Sequence, residues 1–431
     1  MIRSRSAVAL LVLATLLAGC TAAPAPSPTS TEVARLEACA DAASSIVTAA
    51  GDLVAEYELP GLDPSATPAP GVTATPAPAP TSSGDAITDA VTSARATRDE
   101  LGCDREQFTE DLESGLARIE PETPIAAAVW RRVSASVLGT VEQTARVWEL
   151  AAGDDLLDVL ARAADGSTIE LAPQTEVDAT LVLLAGITLR GSGRDETVLR
   201  STAPDAAIMV VTDGLVRLEA LTLQLGLGDP SSGVVAGPSA SIVLNGVRVT
   251  GAATEGEGDS AGGAGVYLSA QGAEGSGRGT TLEITDSLFD RNAWAGLAVT
   301  GGHRVSIESS TFRGNAGAGI VFLDQTSGSV ASSTFTDNTV GVAAAGTSTP
   351  AIVGSTITGG TVGLQADASA APAVQKVTIS GPSSAAIIFG GESAGSVSDA
   401  TCRDVSHGIV IGDGAAPSLG SNDCTLARGT G

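Results

Sequence analysis

The chain has 431 residues, with 49 acidic against 23 basic side chains, a formal net charge of −26 and 3% aromatic residues. Lys376 is its single lysine, so the long basic surface that a phosphate backbone demands is excluded, and nucleic acid is not an expected partner. The same balance opposes tight binding of polyanions, except where arginines gather locally.

At the start, Arg3 and Arg5 precede an apolar run from Ala7 to Leu17, which ends in Leu17, Ala18, Gly19 and Cys20. That ending resembles a bacterial lipobox, and the run is shorter than the roughly 20 apolar residues that cross a bilayer. Residues 1–19 therefore read as a lipoprotein signal peptide and Cys20 as the lipidated first residue of an extracytoplasmic protein, whose partner through that lipid is the membrane. Two segments, 20–31 and 60–84, are rich in Pro, Ala, Thr and Ser and read as a tether and an extended linker. Between and after them, 32–59 and 85–150 read as helical, broken near Pro121 and Pro124. Each helical segment holds one cysteine, Cys39 and Cys103, and a disulfide between them is expected in a compartment where such bonds persist.

From 151 onward the pattern changes. Residues 154–164 suit a short amphipathic helix, with Leu156, Leu157, Leu160 and Ala163 available to cover the open end of whatever follows. Further on, Phe289, Phe312, Phe335, Ile357, Ile379, Cys402 and Cys424 recur at steps of 22 or 23 residues. Aligning on them brings out serines (Ser287, Ser310, Ser333, Ser355), asparagines (Asn292, Asn315, Asn338) and glycines (Gly296, Gly319, Gly341, Gly363, Gly408). Short alternations such as Leu297 with Val299, and Val305 with Ile307, read as strands. Units of this length with three short strands and no helix predict a coil of stacked parallel strands, an internal aromatic stack and a buried asparagine ladder. A leucine-rich repeat has a similar period, but its leucine spacing is missing.

Residues 154 to 431 resemble the right-handed parallel β-helix proteins of the pectin-lyase-like superfamily, a likeness strengthened by DGSTIELAP at 165–173 and GITLRGSGRDETVLRS at 186–201. The expected fold is mainly β, a right-handed parallel β-helix of three-stranded coils over 151–431 behind an N-terminal helical region. Cys402 and Cys424 fall on successive coils as either a disulfide or two buried thiols, since in-register parallel side chains are awkward to bridge.

The resemblance implies enzymes that set acids, or basic residues with calcium, on the outer face of neighbouring coils. No catalytic set, metal set or cofactor motif emerges here. Asp290 beside Arg313 reads as a surface ion pair worth at most about 1 kcal/mol. Arg403, Asp404 and His407 share one coil, and Ser406-His407-Gly408 is similar to the Gly-His-Gly of polygalacturonases, but the paired aspartates and Arg-x-Lys that accompany it there are absent. Thr334 with Thr336, Thr356 with Thr358 and Thr378 with Ser380 resemble the ranks of ice-binding solenoids, although strand propensity alone accounts for them.

The widest break in the period, 251–279, predicts two loops around the strand 265–268. Beside them Tyr267, Trp294 and His303 form the candidate ligand contact, because aromatic faces stack on sugar rings and loops on rigid scaffolds carry binding. Glu255, Glu257 and Asp259 lie in the first loop, with no defined calcium spacing. The leading expectation is a membrane-tethered β-helix lipoprotein, non-catalytic, that binds or scaffolds at the cell envelope with polysaccharide as a candidate ligand. A polysaccharide lyase or glycoside hydrolase, and a ligand-free stalk, stay open as alternatives.

Overall fold

A computed structural model describes residues 29–58, 83–212, 214–226, 231–236, 240–253, 262–268 and 279–428. Cys20, most of the tether, most of the linker and the acidic loop with Glu255, Glu257 and Asp259 lie outside the described residues.

Four helices come first: α1 (Ser30–Glu56), α2 (Ser83–Leu101), α3 (Arg105–Leu116) and α4 (Pro124–Val137). Side-chain oxygens start three of them, with Thr29 accepting from the Glu32 amide, Asp104 from Gln107 and Thr123 from Ala126, each satisfying a donor that the first turn leaves open. Helix α1 is long and apolar enough to cross a membrane by length and composition. It nonetheless packs as a core helix, burying Ile46, Ala50 and Val54 in a cluster with Phe108, Leu112, Val129 and Val133. The Cys39–Cys103 disulfide, with Cα atoms 5.9 Å apart, ties α1 to the residues just beyond α2.

The rest of the described chain winds into a coil of three parallel sheets. The first has twelve strands, the second ten and the third eleven among the described residues, and sequential strands of each sheet pair in parallel. One rung shows the plan: Arg304–Glu308 in the first sheet, Thr311–Arg313 in the second, Ala318–Phe322 in the third, and then Ser327–Ala331 back in the first. The corner from first to second sheet is tight because a single residue adopts positive φ, as at Asp286, Ser309 and Ser332. The serine after it closes the corner: Ser310 Oγ donates to the Glu308 carbonyl at 2.9 Å and accepts from the Ser287 amide of the preceding coil at 3.2 Å.

Like residues stack on like. The rings of Phe289 and Phe312 lie 5.0 Å apart and those of Phe312 and Phe335 5.1 Å apart, nearly parallel, and all three are fully buried. The asparagines line the next turn. Asn315 Oδ1 accepts from the Asn292 amide at 3.1 Å and its Nδ2 at 2.9 Å, while Asn315 Nδ2 donates to the Phe289 carbonyl at 3.1 Å and to Asn338 Oδ1 at 2.9 Å. Each amide thus satisfies peptide groups that a buried turn would otherwise strand. Glycine stands where that stack needs room: a Cβ on Gly319 would lie 2.6 Å from the Gly341 carbonyl oxygen and 2.7 Å from Phe335 Cδ1.

The coil starts earlier than the sequence suggests. Val147–Glu149, read above as the end of the helical region, pairs with Thr168–Glu170 as the first strand of the first sheet. Three residues are too few to show a strand period, and Trp148 is instead fixed by burial and by the Arg146 guanidinium 3.7 Å above its ring. Helix α5 (Leu156–Arg162) follows and covers the open end, burying Leu156 and Val159 and half-burying Leu157 and Leu160 against the solenoid core. Arg132 of α4 caps α5 by donating to the Ala161 and Ala163 carbonyls, and Val182 and Met209 on the outer face of the third sheet enter the helical core. Helices and coil therefore share one packed junction. At the far end, Cys402 and Cys424 form a disulfide. Cys402 closes the second sheet in Thr401–Arg403, but Cys424 precedes the final strand Leu426–Arg428, so the pair is not an in-register ladder position.

Candidate functional site

The outer face of the third sheet positions two of the three expected contact residues together. Tyr267 occupies the outward position of Ala264–Leu268, in register with Ala298 of the next strand. Trp294 directly precedes that strand, and its turn is pinned from both sides: its amide donates to the Gly263 carbonyl, and its own carbonyl accepts from Gly317 and Ala318. The two rings stand 6.2 Å apart at 54°, both half-buried, over a floor of small side chains that includes Ala295, Ala298, Ala318 and Val321. An apolar floor with a tilted aromatic pair offers π faces to a planar or ring-shaped ligand.

His303 does not join them. It is fully buried in the turn from the third sheet to the first, where Nδ1 accepts from the Thr280 amide at 2.9 Å. The sequence offers it as a ligand contact, but a buried corner needs an acceptor for that peptide, and the imidazole supplies it. His303 is a structural residue, and the surface contact narrows to Tyr267 and Trp294.

A second correction concerns Asp290. Its side chain points outward from the second sheet yet is only 1% exposed, because arginines cover it. Arg248 from the preceding coil grips it with both ends of its fork, Nε to Oδ1 at 2.9 Å and Nη2 to Oδ2 at 2.8 Å. Arg313 Nη2 adds a third hydrogen bond at 3.2 Å, and Arg291 Nε stands 3.5 Å away. Burial pushes the Asp290 carboxyl up, but the hydrogen bonds and charges of Arg248, Arg313 and Arg291 outweigh it and hold the group below its ordinary range. Asp290 in turn holds Arg248 above its ordinary value, against the effect of burial. This cluster is not the weak exposed pair that the sequence suggests.

The remaining charged candidates stay apart. His407 and Asp404 are exposed, and His407 Nδ1 donates to the Ser384 carbonyl at 3.1 Å rather than facing a carboxylate. Among the described residues no three metal-ligating side chains converge. The threonine ranks do form: Thr334, Thr356 and Thr378 are in register, as are Thr336, Thr358 and Ser380.

A family model described as a right-handed beta helix region matches residues 207–370 and 295–431. No curated protein matches the sequence. Among solved structures, the enzymatically active domain of tailspike protein 2 from bacteriophage CBA120 is 13% identical, with 66% of this chain and 47% of that one covered and a TM-score of 0.49. The chain thus spans about half the length of that tailspike structure. The mannuronan C-5 epimerase A-module of Azotobacter vinelandii is 14% identical, with 62% and 91% covered and a TM-score of 0.33. The endo-xylogalacturonan hydrolase of Aspergillus tubingensis is 15% identical, with 66% and 99% covered and a TM-score of 0.31.

Proposed function

Because this chain belongs to the right-handed β-helix family, we propose that it is an extracytoplasmic lipoprotein, tethered through Cys20, that binds polysaccharide on the Tyr267–Trp294 face without converting it. The observation that carries this reading is the tilted aromatic pair on its alanine floor, rigidly placed by rungs on both sides. A sugar ring presents one apolar face of C–H groups, which an exposed aromatic takes up, and a fixed platform avoids the ordering cost that a mobile one incurs. The tether rests on the lipobox and on the Pro-rich spacers, which would hold the coil away from a membrane.

Glycan-array binding by the whole chain, followed by titration of the best glycan, tests the reading. Trp294→Ala is expected to weaken binding at least about tenfold, with no release of reducing or unsaturated ends by either protein. Turnover of the glycan that disappears on Asp404 or His407 substitution would establish the lyase or hydrolase alternative instead. Indifference to every glycan would leave the stalk. Fatty-acid labelling in a bacterial host, lost in Cys20→Ser, tests the tether separately.

A further inference from the structure

The second sheet departs from the charge of the chain as a whole. Its strands from Val198–Ser201 to Thr401–Arg403 carry one acidic residue, Asp290, against four arginines: Arg200, Arg248, Arg313 and Arg403. The chain as a whole has more than two acids for each base. Around Asp290 the imbalance is concentrated, since the turn after it adds Arg291. One carboxylate therefore faces three guanidinium groups, and the other carboxylate acting on Arg248 is that of Asp195.

These arginines are unequally engaged. Arg248 is largely covered and spends its fork on Asp290. Arg313 gives Asp290 only Nη2, Arg291 approaches it at 3.5 Å without a hydrogen bond, and their side chains remain 54% and 68% exposed. Among the described residues neither side chain makes a further hydrogen bond or ion pair, apart from those to Asp290. Asp290 thus acts as a buried anchor for two guanidinium groups carried on adjacent rungs, whose strands stack at about 4.8 Å, with donors to spare. Beyond them in the same sheet lie only hydroxyls for three rungs, starting with Thr334 and Thr356. Asp337 follows Thr336 directly, in the turn that leaves this sheet.

We propose that Arg291 and Arg313, held in place by Asp290, form an oxyanion-binding site on the second sheet that takes the carboxylate or phosphate groups of an anionic glycan lying along the threonine-lined rungs. Planar guanidinium forks match both oxyanions, and hydroxyl ranks at the rung spacing serve as donors and acceptors for sugar hydroxyls. Arg291 shares a turn with Trp294, but the arginine donors and the threonine ranks belong to the second sheet and its edge, whereas the aromatic pair stands on the third, so the two readings are tested by different variants.

The test uses the full chain with two probes, polygalacturonate and a phosphomannan, and dextran as the neutral control, all titrated at low ionic strength. The double variant Arg291→Gln/Arg313→Gln takes one hydrogen bond and two charges from Asp290 but leaves its Arg248 fork, so a modestly lower thermal midpoint is expected, and affinities are compared at a temperature where both proteins remain folded. Affinity for at least one anionic polymer is expected to fall at least about tenfold in the double variant and on raising the salt. Which polymer responds identifies the anion as carboxylate or phosphate. The proposal is overturned if the parent binds neither anionic polymer, or if the double variant binds them as the parent does. Any dextran binding should be indifferent to the two arginines.

Discussion

Replacing Asn315 by alanine is the most direct probe of what holds the coil together. The side chain is buried and makes four hydrogen bonds: two accepted from Asn292 and two donated, to the Phe289 carbonyl and to Asn338 Oδ1. Removing it strands the Asn292 amide and takes the side-chain donor from Phe289, whereas Asn338 Oδ1 keeps the Asn315 amide at 3.0 Å. With about 1–3 kcal/mol for each buried polar group left without a partner, plus a small void, the expected loss is roughly 3–5 kcal/mol. Asn315→Asp separates donor from acceptor. A carboxylate still accepts from Asn292, but it faces Asn338 Oδ1 and the Phe289 carbonyl with no proton to give. It should therefore be worse than alanine at neutral pH and recover in part under acid conditions. Because repeat proteins open in groups of rungs, denaturant midpoints should be paired with hydrogen exchange at the Asn292 amide. A loss below about 1 kcal/mol with unchanged Asn292 protection would refute the ladder as a stabilising element.

Other outcomes follow from the same geometry. Gly319→Ala forces a methyl group to 2.6 Å from the Gly341 oxygen and should cost about 1–3 kcal/mol, whereas Gly302→Ala, with nothing within 4 Å of the added Cβ, should be near neutral by thermal melting. Asp290 has a folded pKa below its unfolded one, so its contribution is present above the unfolded value near pH 4 and is lost as pH falls through the lower folded value. Acid titration of stability should lose that step in Asp290→Asn, which should also be less stable at neutral pH, and an unchanged acid limb would contradict the buried cluster. The Cys39–Cys103 bridge spans 64 residues of sequence, and loop-closure entropy sets an upper limit of about 4 kcal/mol on its contribution. Cys39→Ser/Cys103→Ser should lower the helical melting transition and leave the β signal of the coil unchanged.

Much of the coil is legible in the sequence because its rungs repeat in register, so one aligned column names one physical environment. Phe289, Phe312 and Phe335 fall into one such column, and Asn292, Asn315 and Asn338 into another, and each column is a stack in the fold. Periodicity fails where the period breaks. Arg248 lies 42 residues before Asp290 across the irregular stretch 251–279, so nothing in the alignment placed its fork on that carboxylate. The glycine column was visible, but its cause was not, since the contact it avoids is with the following rung. His303 sits in a turn, and turns ordinarily face water; only the stranded Thr280 amide shows why this one draws an imidazole inward. Val147–Glu149 is too short for any pattern.

The bond between Cys402 and Cys424 has a mechanical meaning for an object built by stacking. A linear array loses its terminal layer most easily, since that layer has a neighbour on one side only. Here one extremity is plugged by α5 with the helices clasped over it, and the other is riveted by a covalent link. Neither extremity peels freely, so disassembly by heat or by a protease is steered toward the interior of the array.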